Sequence, residues 1–317
     1  MKKITVIAPV FNENLCLPEF IQRTTSVAES MKHYEIDLHI LFVDDGSTDG
    51  SSQILENASH LNSRIQVIHL ASNFGHQSAV WCGLEAVEPD ETVIVMDCDL
   101  QDPPEVLLDL VKASESFEIV FTQRKTRIDK PFKKFSAFIY YRLLGILSDG
   151  NVLHNSGDFY LLKPTARRSL LLHKENVKYI RGLIANLGFN VTTLLYDRDA
   201  RFAGKTHYTF PKMLRLAIAG VTGFSIKPLI FVTYIAIVSG LITLFGAVSI
   251  FLLKIFRPTQ FSPGIAAIIL ILLTLGSLIL ICLAVISLYI ARITIEVKNR
   301  PLYIISKKEG YTHDQSI

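Results

Sequence analysis

The sequence predicts an α/β domain built on a mostly parallel, Rossmann-like sheet, followed by a C-terminal two-helix transmembrane hairpin. Three observations predict it. Short β-branched runs alternate with helix-length segments through the first two thirds of the chain. A polar cluster closes each of the first four runs. Two uncharged stretches follow, Leu229 to Leu253 with 25 residues and Gly264 to Ala291 with 28. Each exceeds the roughly 20 residues that a helix needs to cross a bilayer.

Lys3 to Pro9 reads as the first strand, with Val10-Phe11-Asn12-Glu13-Asn14 as the loop at its end and a helix from Leu17 to Met31. The second strand, Leu38 to Val43, ends in Asp44-Asp45-Gly46-Ser47-Thr48-Asp49-Gly50, and a helix runs on from there. The third, Ile65 to Leu70, ends in Asn73-Phe74-Gly75-His76, with a helix onward to Val87. The fourth, Thr92 to Met96, delivers Asp97-Cys98-Asp99-Leu100-Gln101-Asp102, and Pro103-Pro104 start the next helix. A fifth, Ile119 to Thr122, leads into Gln123-Arg124-Lys125-Thr126-Arg127. Alternation of this kind implies parallel strands with crossover helices on both faces. Ligands bind such sheets at the carboxyl ends of the strands, where these clusters stand.

Net charge is +3, too mild to argue for a nucleic-acid partner. The placement of the basic residues says more. Lys212, Arg215 and Lys227 precede the first span; Arg292, Lys298, Arg300, Lys307 and Lys308 follow the second; the connector holds only Lys254 and Arg257. The positive-inside rule then puts both flanks in the cytoplasm. Cys16, Cys82, Cys98 and Cys282 form no C-x-x-C pair and read as reduced thiols. Met1 to Val10 runs straight into a strand, so no signal peptide is expected.

Asp97, Asp99 and the Gln101 amide form a hard-ligand set suited to Mg²⁺ or Mn²⁺ held jointly with substrate phosphates. A bare D-x-D is more often a solvated turn. The fuller string D-C-D-L-Q-D-P-P-E resembles the donor-metal motif of family 2 glycosyltransferases, particularly polyprenyl-phosphate glycosyltransferases and dolichol-phosphate-mannose synthases. P-V-F-N-E, D-D-G-S, N-F-G-H-Q-S-A-V-W-C-G-L-E-A, S-G-D-F-Y-L-L, R-G-L-I-A and R-D-A-R-F-A-G-K-T-H-Y continue the resemblance in order. The small residues Gly75, Ala79 and Gly83 within the third motif read as helix–sheet packing.

The resemblance implies a GT-A domain and an inverting transfer of one sugar. The donor would be a nucleotide diphosphate sugar, a UDP-sugar such as UDP-glucose, and the acceptor polyprenyl (undecaprenyl) phosphate. Pro9, Glu13, Asp45 and Asp97 would hold the nucleotide sugar, Asp45 by accepting from the base. Arg124 and Lys133 would hold the acceptor phosphate, on a basic, aromatic segment, Phe132 to Leu147, suited to a membrane surface. Asp158 matches the base or acceptor organiser, and Arg201 the mobile-loop arginine that meets the diphosphate. Phe74, His76 and Trp81 are candidates for sugar contacts. Tyr160 stands where Arg is usual, His207 where Lys is usual, and Leu288 where the related tails carry Glu.

The expected order along the chain is a cytoplasmic domain over 1–208, an amphipathic stretch over 209–228, spans at 229–253 and 264–291 joined by an outer connector at 254–263, and a cytoplasmic tail over 292–317. The expected location is the bacterial cell membrane, with room for a homo-oligomer. A processive polysaccharide synthase is the rival enzyme, but the only tryptophan, Trp81, is in no Q-x-x-R-W acceptor motif. A transporter is the rival of another class, and the two spans offer it no charged residue.

Overall fold

A computed structural model describes residues 1–125, 156–175, 178–197, 227–256 and 265–311. Two compact units result, one holding the sheet and the other the two long helices. Among the described residues the first unit holds an eight-stranded sheet. Its strands are β1 (Lys2–Val10), β2 (Ile36–Asp44), β3 (Ile65–Leu70), β4 (Thr92–Val95), β5 (Ile119–Arg124), β6 (Ser156–Leu162), β7 (Val191–Tyr196) and β8 (Ile305–Glu309). They lie in the order β7-β5-β6-β4-β1-β2-β3-β8. The pairs β1/β2, β1/β4, β2/β3 and β5/β7 are parallel. The pairs β4/β6, β5/β6 and β3/β8 are antiparallel. The sheet is thus parallel at its centre and mixed towards its edges.

Central strands are covered on both faces, which is why they read as continuous apolar runs instead of alternating ones. β4 is buried at all four positions, and β1 over its last seven. The covering helices are α1 (Leu17–Met31), α2 (Ser51–Leu61), α3 (His76–Ala86), α4 (Leu107–Ala113), α5 (Pro164–Leu171) and α6 (Ile180–Ala185). α1 matches the residues expected from sequence. Its apolar stripe of Leu17, Phe20, Ala28 and Met31 packs into the main core, with Phe20 edge-on to Phe42 at 6.0 Å.

α3 sits unusually close to the sheet. A β-carbon at Gly83 would land on the Ile7 side chain and 3.3 Å from a methyl of Val43. Packing is therefore the use of Gly83, as expected, whereas Gly75 and Ala79 face the cleft described below.

The chain after the helical unit is not a plain tail. Residues 305–309 return as β8, antiparallel on β3, with Lys307 opposite His69 and Lys308 opposite Ile68. Lys307 also pairs with Glu56 of α2 at 3.0 Å, and Tyr303 donates to Glu85 of α3.

The second unit contains α7 (Lys227–Phe256, 30 residues) and α8 (Ile265–Lys298, 34 residues), which touch each other. The uncharged stretch Leu229 to Leu253 falls within α7, and residues 265–291 of the other within α8. Among the described residues one stretch, Leu278–Lys298, is long and apolar enough to cross a membrane by length and composition. The expected helix over Phe132 to Leu147, the amphipathic segment before Lys227 and the centre of the connector lie outside the described residues, as do Lys133, Arg201 and His207.

Candidate active site

The carboxyl ends of β1, β2 and β4 converge with the first turn of α3 on one open cleft of about 350 Å³. Pro9, Phe11, Glu13, Asp45, Asn73, Gly75, His76, Asp97 and Asp99 are among its lining residues. Five of the residues expected there from sequence, Pro9, Glu13, Asp45, Asp97 and Asp99, come together.

The loops after β1 and β2 are laced to each other. The backbone N–H of Asn12 donates to Ser47 Oγ at 3.0 Å, that of Glu13 to Ser51 Oγ at 3.0 Å, and that of Thr48 to Asn12 Oδ1 at 2.8 Å. Asn12 takes a left-handed conformation (φ 57°), which asparagine tolerates. Gly46 (φ 71°) has no such latitude for a side chain, because a β-carbon there would meet the backbone of Ser72 at 2.7 Å. This close approach lets Asp45 reach across. Its two carboxylate oxygens accept the backbone N–H groups of Phe74 (2.7 Å) and Gly75 (2.8 Å). Burial raises the Asp45 pKa, with those two hydrogen bonds opposing.

Asp44, its neighbour, points the other way and is structural. Its carboxylate takes hydrogen bonds from Ser52 Oγ (2.6 Å) and the Ser47 N–H (3.0 Å), and lies 2.9 Å from His69 Nδ1. Burial acts to raise its pKa, but these partners outweigh it and hold the carboxyl at about 2. A depressed pKa means stability that is present above the unfolded value and lost as the pH falls through the folded one. Asp44→Asn is therefore expected to cost on the order of 2 kcal/mol at neutral pH. That difference should shrink between pH 4 and pH 2, as thermal melts across the range would show.

The turn after β4 carries the acidic motif. Leu100 is buried and left-handed (φ 59°), a conformation costing a non-glycine residue about 1 kcal/mol or more. Its anchored side chain fixes the turn, and the Gln101 N–H braces Asp99 Oδ1 at 3.1 Å. Gln101 itself is not among the lining residues. Asp102 turns away to accept the Tyr196 hydroxyl.

Asp97 is pushed up to about 7 by desolvation at the cleft floor, with His76 opposing and Asp158, Asp99 and Asp102 adding to the rise. Carboxylates crowded in this way suit a divalent cation. Among the described residues no three Asp, Glu, His or Cys side chains close on one point as a full shell. A hard cation on Asp97 and Asp99 would thus keep positions for phosphate and water, as Mg²⁺ commonly does.

Asp158, on β6, lies beside this floor. His76 stands between the two carboxylates, Nδ1 3.8 Å from Asp97 and Nε2 3.7 Å from Asp158. Arg181 Nε lies 3.1 Å from the other Asp158 oxygen. Arg124 ends β5, half-buried, and hydrogen-bonds the Tyr196 hydroxyl.

Trp81 is not a cleft residue. It is buried, donates to Glu85 at 2.8 Å and has the Lys178 ammonium 3.6 Å from its ring centroid. Tyr160 is also buried, stacked at a tilt on Phe121 5.7 Å away. Phe11, exposed at the cleft wall, went unassigned in the sequence although P-V-F-N-E contains it.

The model of the family described as Glycosyl transferase family 2 matches residues 5–170. An uncharacterized glycosyltransferase of Bacillus subtilis (strain 168), YkcC, is 38% identical, with 96% of this chain and 94% of that protein covered. The SfII prophage-derived bactoprenol glucosyl transferase of Shigella flexneri is 33% identical over 96% of this chain and 98% of its own length. Among solved structures, glucosyl-3-phosphoglycerate synthase from Mycobacterium tuberculosis, crystallised with Mg²⁺ and uridine diphosphate, superposes with a TM-score of 0.51. The two share 16% identity, and 70% of this chain and 77% of that one are covered. At that identity the likeness speaks for the fold alone.

Proposed function

Since the chain belongs to glycosyl transferase family 2 and is a transferase, we propose that it moves a single sugar from a nucleotide diphosphate sugar to polyprenyl phosphate, with inversion. One observation carries the choice of acceptor. The similarity to a bactoprenol glucosyl transferase covers almost the whole of both chains, helical unit included, instead of stopping at the catalytic domain. A UDP-sugar, with UDP-glucose as the first to test, is the donor we favour.

In this reading Pro9, Glu13 and Asp45 hold the nucleoside, and Asp97 and Asp99 face the diphosphate. A bound Mg²⁺ or Mn²⁺ would supply neutralisation of the leaving diphosphate. A lipid phosphate oxygen attacks the anomeric carbon as the bond from that carbon to the diphosphate oxygen breaks. The leaving group is a nucleoside diphosphate, and the product is a glycosyl phospholipid. The nucleophile is already ionised at neutral pH, so little proton removal is required. Asp158 then orients the acceptor or takes a residual proton. Arg124, with Lys133 and Arg201, supplies positive charge to the phosphates. Gln101 is kept as a candidate third metal ligand.

The helical unit fits this substrate. Phe231, Leu241 and Phe245 on α7, and Leu272, Leu280 and Val297 on α8, are large apolar side chains left exposed in the isolated chain. A helix that is apolar all round belongs in a membrane or a large core. We place both helices across the bacterial cell membrane with both termini in the cytoplasm, following the basic flanks.

Membranes containing the protein, incubated with several nucleotide sugars and undecaprenyl phosphate, are expected to yield a glycolipid identifiable by mass spectrometry. No product with any donor would sink the reading. For orientation, a cysteine at Thr259 should react with an impermeant thiol reagent in intact cells and one at Ser306 should not. The reverse pattern would strand the cleft away from cytosolic nucleotide sugars.

A further inference from the structure

Asp158 is gripped from both sides. One oxygen faces Arg181 Nε at 3.1 Å and the other faces His76 Nε2 at 3.7 Å. The two partners come from different elements: His76 opens α3, and Arg181 is in the first turn of α6. The first turn of α6 is itself fastened to α3. The Ile180 N–H donates to Gln77 Oε1 at 3.1 Å, one residue from His76 in α3 and one from Arg181 in α6. Lys178, just before α6, caps the Trp81 ring, and Trp81 is held in turn by Glu85. α3 is seated on β1 and β2 through the missing side chain of Gly83. A rigid path therefore runs from the centre of the sheet to the guanidinium of Arg181.

We infer that Arg181 is a positioning residue for the transfer reaction: it fixes the Asp158 carboxylate at the cleft and acts through it. The inference rests on the acceptor-side role given to Asp158 above. The contact is an ion pair at close range, so the guanidinium holds the carboxylate by charge against a fixed neighbour. A carboxylate that must orient a phosphate or take a late proton loses much of its value when it can swing, since small misplacements carry large rate penalties.

Arg181→Ala is expected to lower kcat by about 10- to 100-fold, with donor Kd within about twofold of wild type, because positioning is felt in the transition state. Arg181→Lys should restore part of the rate. On an Asp158→Asn background, Arg181→Ala should add little, because one residue acts through the other. Multiplicative losses in the double variant would overturn the inference, as would a raised acceptor KM at unchanged kcat, which would mark direct acceptor binding.

The grip itself can be read without any acceptor, by carbodiimide and glycine-ester labelling of carboxyl groups followed by peptide mass spectrometry. Asp158 should label slowly in wild type and several-fold faster in Arg181→Ala, with exposed Asp90 unchanged. Equal rates at Asp158, or a parallel rise at Asp90 with a lower melting temperature, would show a general structural role and overturn the proposal. A wild type that makes no glycolipid while the labelling contrast holds refutes the acceptor reading and leaves the grip standing.

Discussion

Asp99→Ala is expected to lower turnover by roughly 10²-fold or more, on the scale of losing a preorganised electrostatic stabiliser. Asp99 is held in place by the left-handed Leu100 turn and braced by the Gln101 N–H, and it shares the cleft floor with Asp97. Alanine removes the charge and the acceptor of the Gln101 N–H, while the buried Leu100 still anchors the turn. Excess chelator should abolish activity, and Mg²⁺ or Mn²⁺ should restore it; full activity in chelator would refute the metal assignment. There is also a pH signature. With the Asp97 carboxyl pushed up to about 7, a proton and the cation compete for it, so apparent metal affinity should weaken as the pH falls through that value. Metal titrations at pH 6 and pH 8 would show the difference.

Asp158→Asn should lower kcat by about 10²-fold or more while leaving donor affinity nearly intact, if Asp158 serves the acceptor in the transition state. The substitution keeps the shape and removes the charge that faces Arg181 and His76. Arg124→Ala should behave differently and chiefly raise the acceptor KM, because it removes binding shared by ground and transition states. Steady-state kinetics with both substrates, and calorimetry with the donor, separate the two. Loss of donor binding in Asp158→Asn would move that residue to the donor side.

Much of the site was legible because its pieces sit at strand ends. The first four strands are covered on both faces, so their sequences are dense in Val and Ile and stop abruptly at polar clusters. A sheet whose ligands gather at carboxyl ends then brings those clusters together without further information. The last three strands carry no such signal. β6 begins Ser156-Gly157-Asp158 and pairs antiparallel on both sides, β7 is half-exposed, and β8 reads I-S-K-K-E. Edge strands are kept polar, often with lysine, to resist pairing with other chains, and that removes the apolar pattern by which a strand is recognised. The grip on Asp158 was hidden for another reason. His76, Asp158 and Arg181 are far apart in the chain, and no spacing rule links them. Trp81, a candidate for sugar contacts in the sequence, is instead buried, its indole occupied by Glu85 and Lys178.

β8 also imposes an order on biogenesis. The strand that closes the β3 edge lies beyond both long helices in the chain. During synthesis the first seven strands leave the ribosome before α7 and α8 do, and the sheet must wait with the β3 backbone unpaired. An open edge of this sort invites pairing with other chains. Only when residues 305–309 have been made, after α7 and α8, can Lys307 reach Glu56 and Tyr303 reach Glu85. Nascent chains arrested before that point would expose a template for aggregation. Pairing of residues 305–309 on β3 is the step that closes this edge.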